Sequence, residues 1–288
     1  MNFLFLQSKG QHAENLEFKE GMQRALTRLG HEVLTFGPGH ECYQRGWPNT
    51  VRNFKPDVVL CCEDYDRSNW VPQFWGVRAL RVFWSMDSHL AFDRHLNASK
   101  QQKCQLVLTA VHGYDSAFTG KDRKGVFFPN AYPADLIGPR DEVDAAYDVG
   151  FCGNVGNRGA WIAELSRTVG MRLDIGVLGE NMVRAINSYR IQFNRNISHD
   201  INCRTFETLG CGTMLLTNET PGIHTLFIKD RHLVFYDDMH DCVEKAKYYA
   251  CHEEDRLTIA KAGYDHALAN HSYDARAKTL VGLVEEMV

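Results

Sequence analysis

The chain has 288 residues, of which 44% are hydrophobic and 24% charged, and its formal net charge is −4. This length suggests two domains, each of which buries its own hydrophobic core. The net negative charge gives no overall positive potential that would attract nucleic acid. The nine cysteines include no Cys-x-x-Cys pair, which argues against a disulfide framework or a zinc cluster. Because no run reaches the ~18 apolar residues that span a bilayer, the sequence predicts a soluble, cytoplasmic protein.

Short apolar runs alternate with helical patterns over the first 130 residues. The run from Asn2 to Gln7 is followed by an amphipathic stretch that ends at Gly30. Further apolar runs lie at 32–36, 57–62, 80–84, 105–109 and 126–128. Continuous apolar strands separated by helices indicate a parallel sheet that is covered on both faces.

The sequence pattern changes between residues 131 and 145. This segment contains prolines, a glycine and acidic residues, and it has no apolar periodicity. A second series of apolar runs then lies at 147–152, 173–178, 191–197, 214–217 and 233–236. A helical pattern follows to the end. The sequence therefore predicts two parallel α/β halves joined near residues 131–145, with a cleft between them.

The segment "RTFETLGCGTMLLTN" places Arg204 and Glu207 one turn apart at the start of a helix, whose end is marked by Gly210 and Gly212. A carboxylate there suits the hydroxyls of a ribose, and the arginine suits a phosphate. Backbone N–H groups at a helix start add an anion site. Spacing alone favours an ordinary surface salt bridge between positions i and i+3.

This segment resembles the signature of the group 1 glycosyltransferases, specifically the CgeB-like branch, whose block has the form R-x-F-E-x-x-A-C-G-x-x-L-L-T. The resemblance continues through residues 229–280, where a strand, an acidic turn, a helix and a final helix after His-Ser-Tyr match the usual ending of the family. The N-terminal half resembles the family only in layout.

The resemblance implies a GT-B fold, in which two Rossmann-like domains have parallel sheets facing across a cleft. Residues 1–135 would form the acceptor-side domain, 146–270 the nucleotide-sugar domain, and 271–288 a closing helix. The donor would be a nucleotide-diphospho-sugar, with a UDP-sugar expected, and neither a cofactor nor a metal would be required. The acceptor stays open between a sugar, a protein and a small molecule, while the net charge gives nucleic acid no support.

The same resemblance assigns donor-binding positions. Glu207 matches the family glutamate that contacts the donor ribose. The other matching positions are Arg190, Asn194, Arg204, Phe206 and Gly212. Many retaining relatives carry a second glutamate at the position of His199, which here is followed by Asp200, so the donor sugar and the anomeric outcome stay open.

A second candidate is the loop "FCGNVGNR", which follows a predicted strand. Small residues such as Gly153 and Asn154 let backbone approach a phosphate closely, and Arg158 could supply charge. An ordinary strand-to-helix turn is the alternative. Its place at the first turn of the second Rossmann-like half favours donor binding.

A third candidate is "FWSMDSHL", in which Asp87 and His89 follow a predicted strand. Either side chain could act as a base for an acceptor hydroxyl, and a similar W-x-x-D-x-H/P element recurs in CgeB-like proteins. A helix cap at Asp87 is the alternative. The acidic segment 63–66 has the Asp-x-Asp spacing of a manganese site, but the C-terminal block favours the metal-free fold, so no metal ligand is predicted.

The leading functional hypothesis is transfer of a sugar from a nucleotide-diphospho-sugar to an acceptor hydroxyl. A nucleotide-sugar epimerase on the same fold is the alternative enzyme, and it would turn over without an acceptor. A non-catalytic nucleotide- or sugar-binding protein of this fold is the third hypothesis, favoured by the missing glutamate at position 199.

Overall fold

The computed structural model describes residues 1–9, 20–62 and 70–287, which form two compact units. Unit 1 comprises Met1–Asn130 and Arg276–Val288, and unit 2 comprises Ala131–Ala275. Each unit contains one sheet in which every strand pairing is parallel. This arrangement confirms the predicted α/β class with two Rossmann-like sheets, whereas the domain boundaries drawn from the sequence stay predictions.

The sheet of unit 1 has six strands in the order β2-β1-β3-β4-β5-β6. They are β1 (Asn2–Leu6), β2 (Glu32–Phe36), β3 (Val58–Cys62), β4 (Leu80–Ser85), β5 (Leu106–Thr109) and β6 (Lys124–Phe127). Its helices are α1 (Gly21–Arg28), α2 (Glu41–Gln44), α3 (Trp47–Phe54), α4 (Ser88–Gln101) and α5 (Asp115–Phe118). All residues of the central strands β3 and β5 are buried, which explains their uninterrupted apolar sequence.

The sheet of unit 2 has five strands in the order β11-β10-β9-β7-β8. They are β7 (Tyr147–Gly153), β8 (Arg172–Ile175), β9 (Tyr189–Phe193), β10 (Met214–Asn218) and β11 (Val234–Tyr236). Its helices are α6 (Gly159–Val169), α7 (Gly179–Asn187), α8 (Cys203–Gly210), α9 (Ile223–Leu226), α10 (Met239–Cys251) and α11 (Glu253–Asn270). The chain leaves β7 first toward β8 and then toward β9, so the strand order reverses between β7 and β9.

Most of the last helix, α12 (Tyr273–Glu285), belongs to unit 1. Arg276 Nε donates to Pro129 O at 2.9 Å, and Lys124 Nζ lies 2.9 Å from Glu286 Oε2. Its apolar residues Ala277, Leu280 and Val284 are fully buried. Within the described ranges, no helix is both long enough and apolar enough to cross a membrane.

One strand is shorter than its apolar pattern predicts. The pattern covers 191–197, but β9 ends at Phe193. After that point, Asn196 N donates to the side-chain oxygen of Asn218 at 2.7 Å instead of continuing the backbone ladder. The segment from Asn194 onward therefore leaves the sheet and forms a loop at its carboxyl edge.

Candidate functional site

The carboxyl edge of the unit 2 sheet gathers most of the predicted donor-binding residues. In open parallel sheets, ligands bind outside the carboxyl ends of the strands, where the strand order reverses. Here that point lies between β7 and β9. A ligand site is therefore expected at the loops after these two strands, residues 154–158 and 194–202.

The loop after β7 is shaped by glycine and fixed by Arg158. Gly153 has a φ of +148°, a backbone conformation that favours glycine, and Asn154 beside it is exposed. Arg158 Nε donates to Arg195 O at 2.8 Å, and its Nη1 donates to Asn154 O at 3.2 Å. One guanidinium thus ties the loop after β7 to the loop after β9.

Arg158 carries its charge in an unfavourable setting. Burial lowers the pKa of its guanidinium, and the positive charges of Arg195 and Arg204 lower it further, whereas the Tyr236 phenol and the Asp200 carboxylate raise it. Arg195 and Arg204 are therefore close enough to repel the charge of Arg158. A bound anion would relieve that repulsion, because charge-assisted hydrogen bonds to guanidinium groups are strong.

Arg195 is a site residue that the sequence reasoning missed. Its guanidinium stacks on the ring of Trp161, with 4.3 Å to the ring centroid, an arrangement typical of cation–π contacts. An aromatic ring orients the charge without cancelling it. The available signal was an arginine directly after a strand, in "NRN", at the turn where such a fold binds ligands.

Asn194 organises the loop after β9 from within. Its side-chain amide donates to Asn196 Oδ1 at 3.2 Å and lies 3.4–3.5 Å from three further oxygens, on Asn202, Thr205 and Thr217. Asn194 is only 2% exposed. The structure therefore gives this residue a positioning role beneath the loop.

Arg204 and Glu207 lie on α8 as the sequence predicts. Arg204 Nη1 is 3.0 Å from Glu207 Oε2, and their side chains are only 15% and 19% exposed. Burial lowers the pKa of the Arg204 guanidinium, but Glu207 and the neighbouring Cys152 and Cys211 raise it, so it ends above its ordinary value. The alternative interpretation, an i, i+3 pair, is thus formed, although it is largely shielded from solvent rather than fully exposed.

The remaining predicted donor residues are not all brought together. His199 is exposed within the loop after β9. Phe206 is fully buried against Phe227 and His271, with ring centroids 5.8 and 5.7 Å away. Phe206 could therefore affect donor binding only indirectly, through its packing.

Arg190 and Gly212 lie at the other edge of the sheet. Arg190 is the second residue of β9, and its Nη1 donates to Asp148 Oδ1 at 2.7 Å. Gly212, with a φ of +76°, turns the chain after α8 toward the amino end of β10. Neither residue accompanies Arg158 and Arg204, because the amino and carboxyl ends of a strand are separated by its length.

In unit 1, Asp87 and His89 follow β4 at the carboxyl edge of its sheet. Asp87 occupies the cap position of α4, but its side chain makes no capping hydrogen bond. The turn that carries both residues rests on a buried network of hydroxyl groups and an imidazole. Its links are Ser85 Oγ to Ser88 Oγ at 2.6 Å, Ser85 Oγ to His95 Nδ1 at 2.7 Å and Ser88 Oγ to Thr109 Oγ1 at 2.7 Å.

No three His, Cys, Asp or Glu side chains group as a possible metal site within residues 1–9, 20–62 and 70–287. The acidic segment 63–66, which carries the Asp-x-Asp spacing, lies outside the described residues. Metal independence therefore stays a prediction.

A family model described as "Glycosyl transferase-like" matches residues 143–282, slightly less than half of the chain. The match spans most of unit 2, including the loops at its carboxyl edge and α8. Residues 143–282 are therefore similar to a glycosyltransferase domain. No curated protein matches the chain.

Solved structures similar over the full length are GT-B proteins, which confirms the predicted fold. Sucrose-phosphate synthase from Thermosynechococcus elongatus is 9% identical with a TM-score of 0.68, covering 100% of this chain and 99% of its own. Anabaena Alr3699/HepE, solved in complex with UDP and glucose, is 12% identical with a TM-score of 0.64, covering 99% and 100%. T4 phage β-glucosyltransferase is 11% identical with a TM-score of 0.70, covering 99% of each chain.

Proposed function

We propose that the chain transfers a sugar from a UDP-sugar to an acceptor hydroxyl, with the donor held at the carboxyl edge of unit 2. The observation that carries this proposal is that Arg158 joins the loops after β7 and β9 by donating to Arg195 O, at the point where the strand order reverses. Supporting it, similar structures were solved with UDP and glucose or with UDP-glucose.

The chemistry of transfer requires charge stabilisation at the leaving group. When the bond between the sugar and the diphosphate breaks, negative charge develops on the departing UDP. Guanidinium groups that are already oriented stabilise that charge without reorganisation. In this proposal Arg158 is held by backbone carbonyls and Arg195 by an aromatic ring, so both keep their full charge for the diphosphate.

Glu207 is assigned to the donor ribose, where a carboxylate can accept hydrogen bonds from two hydroxyl groups. Arg204 orients that carboxylate from 3.0 Å. Asp87 and His89 are assigned as candidate bases for the acceptor hydroxyl, since each follows a strand at a carboxyl edge and can accept a proton. The buried network under their turn would fix their direction.

The donor is a substrate, and the proposal includes neither a cofactor nor a metal. UDP release from UDP-glucose should therefore persist in excess EDTA and rise when the correct acceptor is supplied. Loss of turnover in EDTA with rescue by manganese would move the assignment to Asp64 and Asp66.

The same assay separates the alternatives. An epimerase would convert the sugar of the donor without an acceptor and without net UDP release. A non-catalytic binding protein, the candidate favoured by His199 in place of a glutamate, would bind UDP and turn over neither donor nor acceptor.

A further inference from the structure

Unit 1 contains a strongly basic groove that the proposed transfer reaction does not use. It has a volume of about 660 Å³. Five cationic side chains line it, accompanied by a single carboxylate, that of Asp122. They are Arg81, Lys100, Lys103, Lys121 and Arg123.

The groove lies at the amino edge of the unit 1 sheet, opposite to Asp87. Arg81 is the second residue of β4, and Arg123 directly precedes β6. Lys100 and Lys103 come from the end of α4 and the turn after it. Three separate segments of the chain therefore bring positive charge to one place.

None of these five cations forms an ion pair in the described part of the chain, where a pair would place a carboxylate oxygen within 4.0 Å. The neighbouring Lys124, in contrast, pairs with Glu286 at 2.9 Å. A net excess of four positive charges thus surrounds the groove in a chain whose overall charge is −4. Such crowding of like charges is unfavourable, and an anion bound among them would offset it.

The two guanidinium groups are oriented by neutral partners. Arg81 Nε donates to Lys103 O at 3.0 Å, and its Nη1 donates to Val77 O and Ala79 O at 3.0 and 3.1 Å. Arg123 Nε donates to Phe118 O at 2.6 Å. These contacts fix the side chains but leave Nη2 of Arg81 and both Nη atoms of Arg123 for another acceptor.

Both guanidinium groups also act on the Cys104 thiol, which lines the same groove. Burial raises the pKa of the Cys104 thiol to about 12, and the charges of Arg81 and Arg123 act on the same thiol to lower it. Lysines at the end of α4 would be expected for the helix dipole alone. That explanation does not extend to Lys121 and Arg123, which belong to a different segment.

We propose that this groove is a binding site for a phosphate group, either a phosphate ester or a pyrophosphate. Fixed guanidinium groups provide the paired N–H donors that phosphate oxygens accept, and the lysines supply mobile positive charge around them. The site belongs to unit 1 and is independent of the donor site proposed in unit 2.

Lysine acetylation read by mass spectrometry tests the site directly, with inorganic pyrophosphate as the probe and the whole native chain as the sample. Pyrophosphate should slow acetylation of Lys100, Lys103 and Lys121 about tenfold at saturation, because each ammonium would then be engaged by phosphate oxygens. The exposed Lys55 and Lys278 of the same unit serve as internal controls. Equal protection at all five lysines, or none, would overturn the proposal.

A matched pair of variants separates a built site from general electrostatics. Lys121→Gln/Arg123→Gln should raise the pyrophosphate concentration that half-protects Lys100 by about tenfold or more. Lys247→Gln/Lys261→Gln removes the same charge from exposed helices of unit 2 and should leave that concentration unchanged. An equal loss in both variants would show that only net charge matters and would contradict the proposal.

Vesicle sedimentation then distinguishes a free phosphate compound from a lipid headgroup. A lipid ligand predicts that the chain sediments with vesicles of phosphatidylcholine and phosphatidylglycerol, but not with phosphatidylcholine alone, and that pyrophosphate and the groove variant both abolish sedimentation. A free ligand predicts protection by pyrophosphate with no sedimentation. Binding to neither probe would refute the site.

Discussion

The two edges of the unit 2 sheet both carry arginines, but the arginines have different partners. Arg140, in the segment before β7, forms a two-pronged ion pair with Glu180, at 3.1 and 3.0 Å, and at the amino edge Arg190 donates to Asp148 at 2.7 Å. The carboxylates there neutralise the cations. Such pairs stabilise local structure modestly and leave little charge for a ligand.

At the carboxyl edge, Arg204 pairs with Glu207, but the other two arginines contact groups without net charge. Arg158 is held by two backbone carbonyls, and Arg195 lies on the ring of Trp161. Their positions are fixed while their charges stay available. The comparison teaches that the partner of an arginine, more than its presence, distinguishes a binding group from a structural one.

The largest expected effect is at Arg158. Arg158→Gln should reduce UDP release from the donor by about 10²–10³-fold, the typical loss when one preorganised donor to a developing negative charge is removed. Steady-state kinetics with UDP-glucose measures it. Arg167→Gln, which removes an exposed arginine paired with Glu164, should leave the rate unchanged. Wild-type turnover in Arg158→Gln would break the comparison between the two edges.

Glu207 should show the next largest effect. Glu207→Gln keeps the shape of the side chain but removes its charge, so UDP affinity should fall about ten- to a hundredfold, or roughly 1.5–3 kcal/mol. Isothermal titration calorimetry measures the affinity. Glu164→Gln breaks another i, i+3 pair with arginine and is the matched control. If both folded variants bind UDP like the wild type, the ribose assignment is wrong.

A buried histidine at the amino edge should lower the free energy of unfolding at acidic pH. Burial, together with the charges of His266 and Arg231, lowers the pKa of His232, which precedes β11, to about 4. Because the unfolded chain takes up this proton near pH 6.5, stability is retained above that pH and falls as the pH drops toward 4. The loss should be on the order of 2 kcal/mol.

Denaturant unfolding at pH 7 and at pH 4.5 measures this loss. His232→Gln should reduce the difference in unfolding free energy between the two pH values, while its UDP affinity at pH 7 stays that of the wild type. An unchanged pH dependence would show that other groups cause the acid sensitivity.

The smallest effect is expected at Arg190. Its pair with Asp148 is exposed, with side chains 44% and 54% accessible, so Arg190→Gln should cost less than about 1 kcal/mol of stability. UDP affinity should change less than twofold in a calorimetric titration, because the residue lies at the edge away from the proposed diphosphate. A tenfold loss of affinity would return Arg190 to the donor site.

The sequence predicts the sheets well because buried parallel strands leave an uninterrupted apolar signal, as in β3 and β5. It also predicts that Arg204 and Glu207 share one helical face, since that depends on local spacing alone. Three contacts depend on residues distant in sequence: the ion pair of Arg190, the backbone partner of Arg158 and the ring beneath Arg195. Spacing and composition carry no signal for those contacts.

The final helix has a consequence for how the protein is made. Unit 1 begins at Met1 but includes most of α12 and the residues after it, which make contacts through Arg276 and Glu286. During synthesis, unit 2 is therefore complete before unit 1 has all of its parts. A chain that ends before residue 276 would contain all of unit 2 but lack the last segment of unit 1.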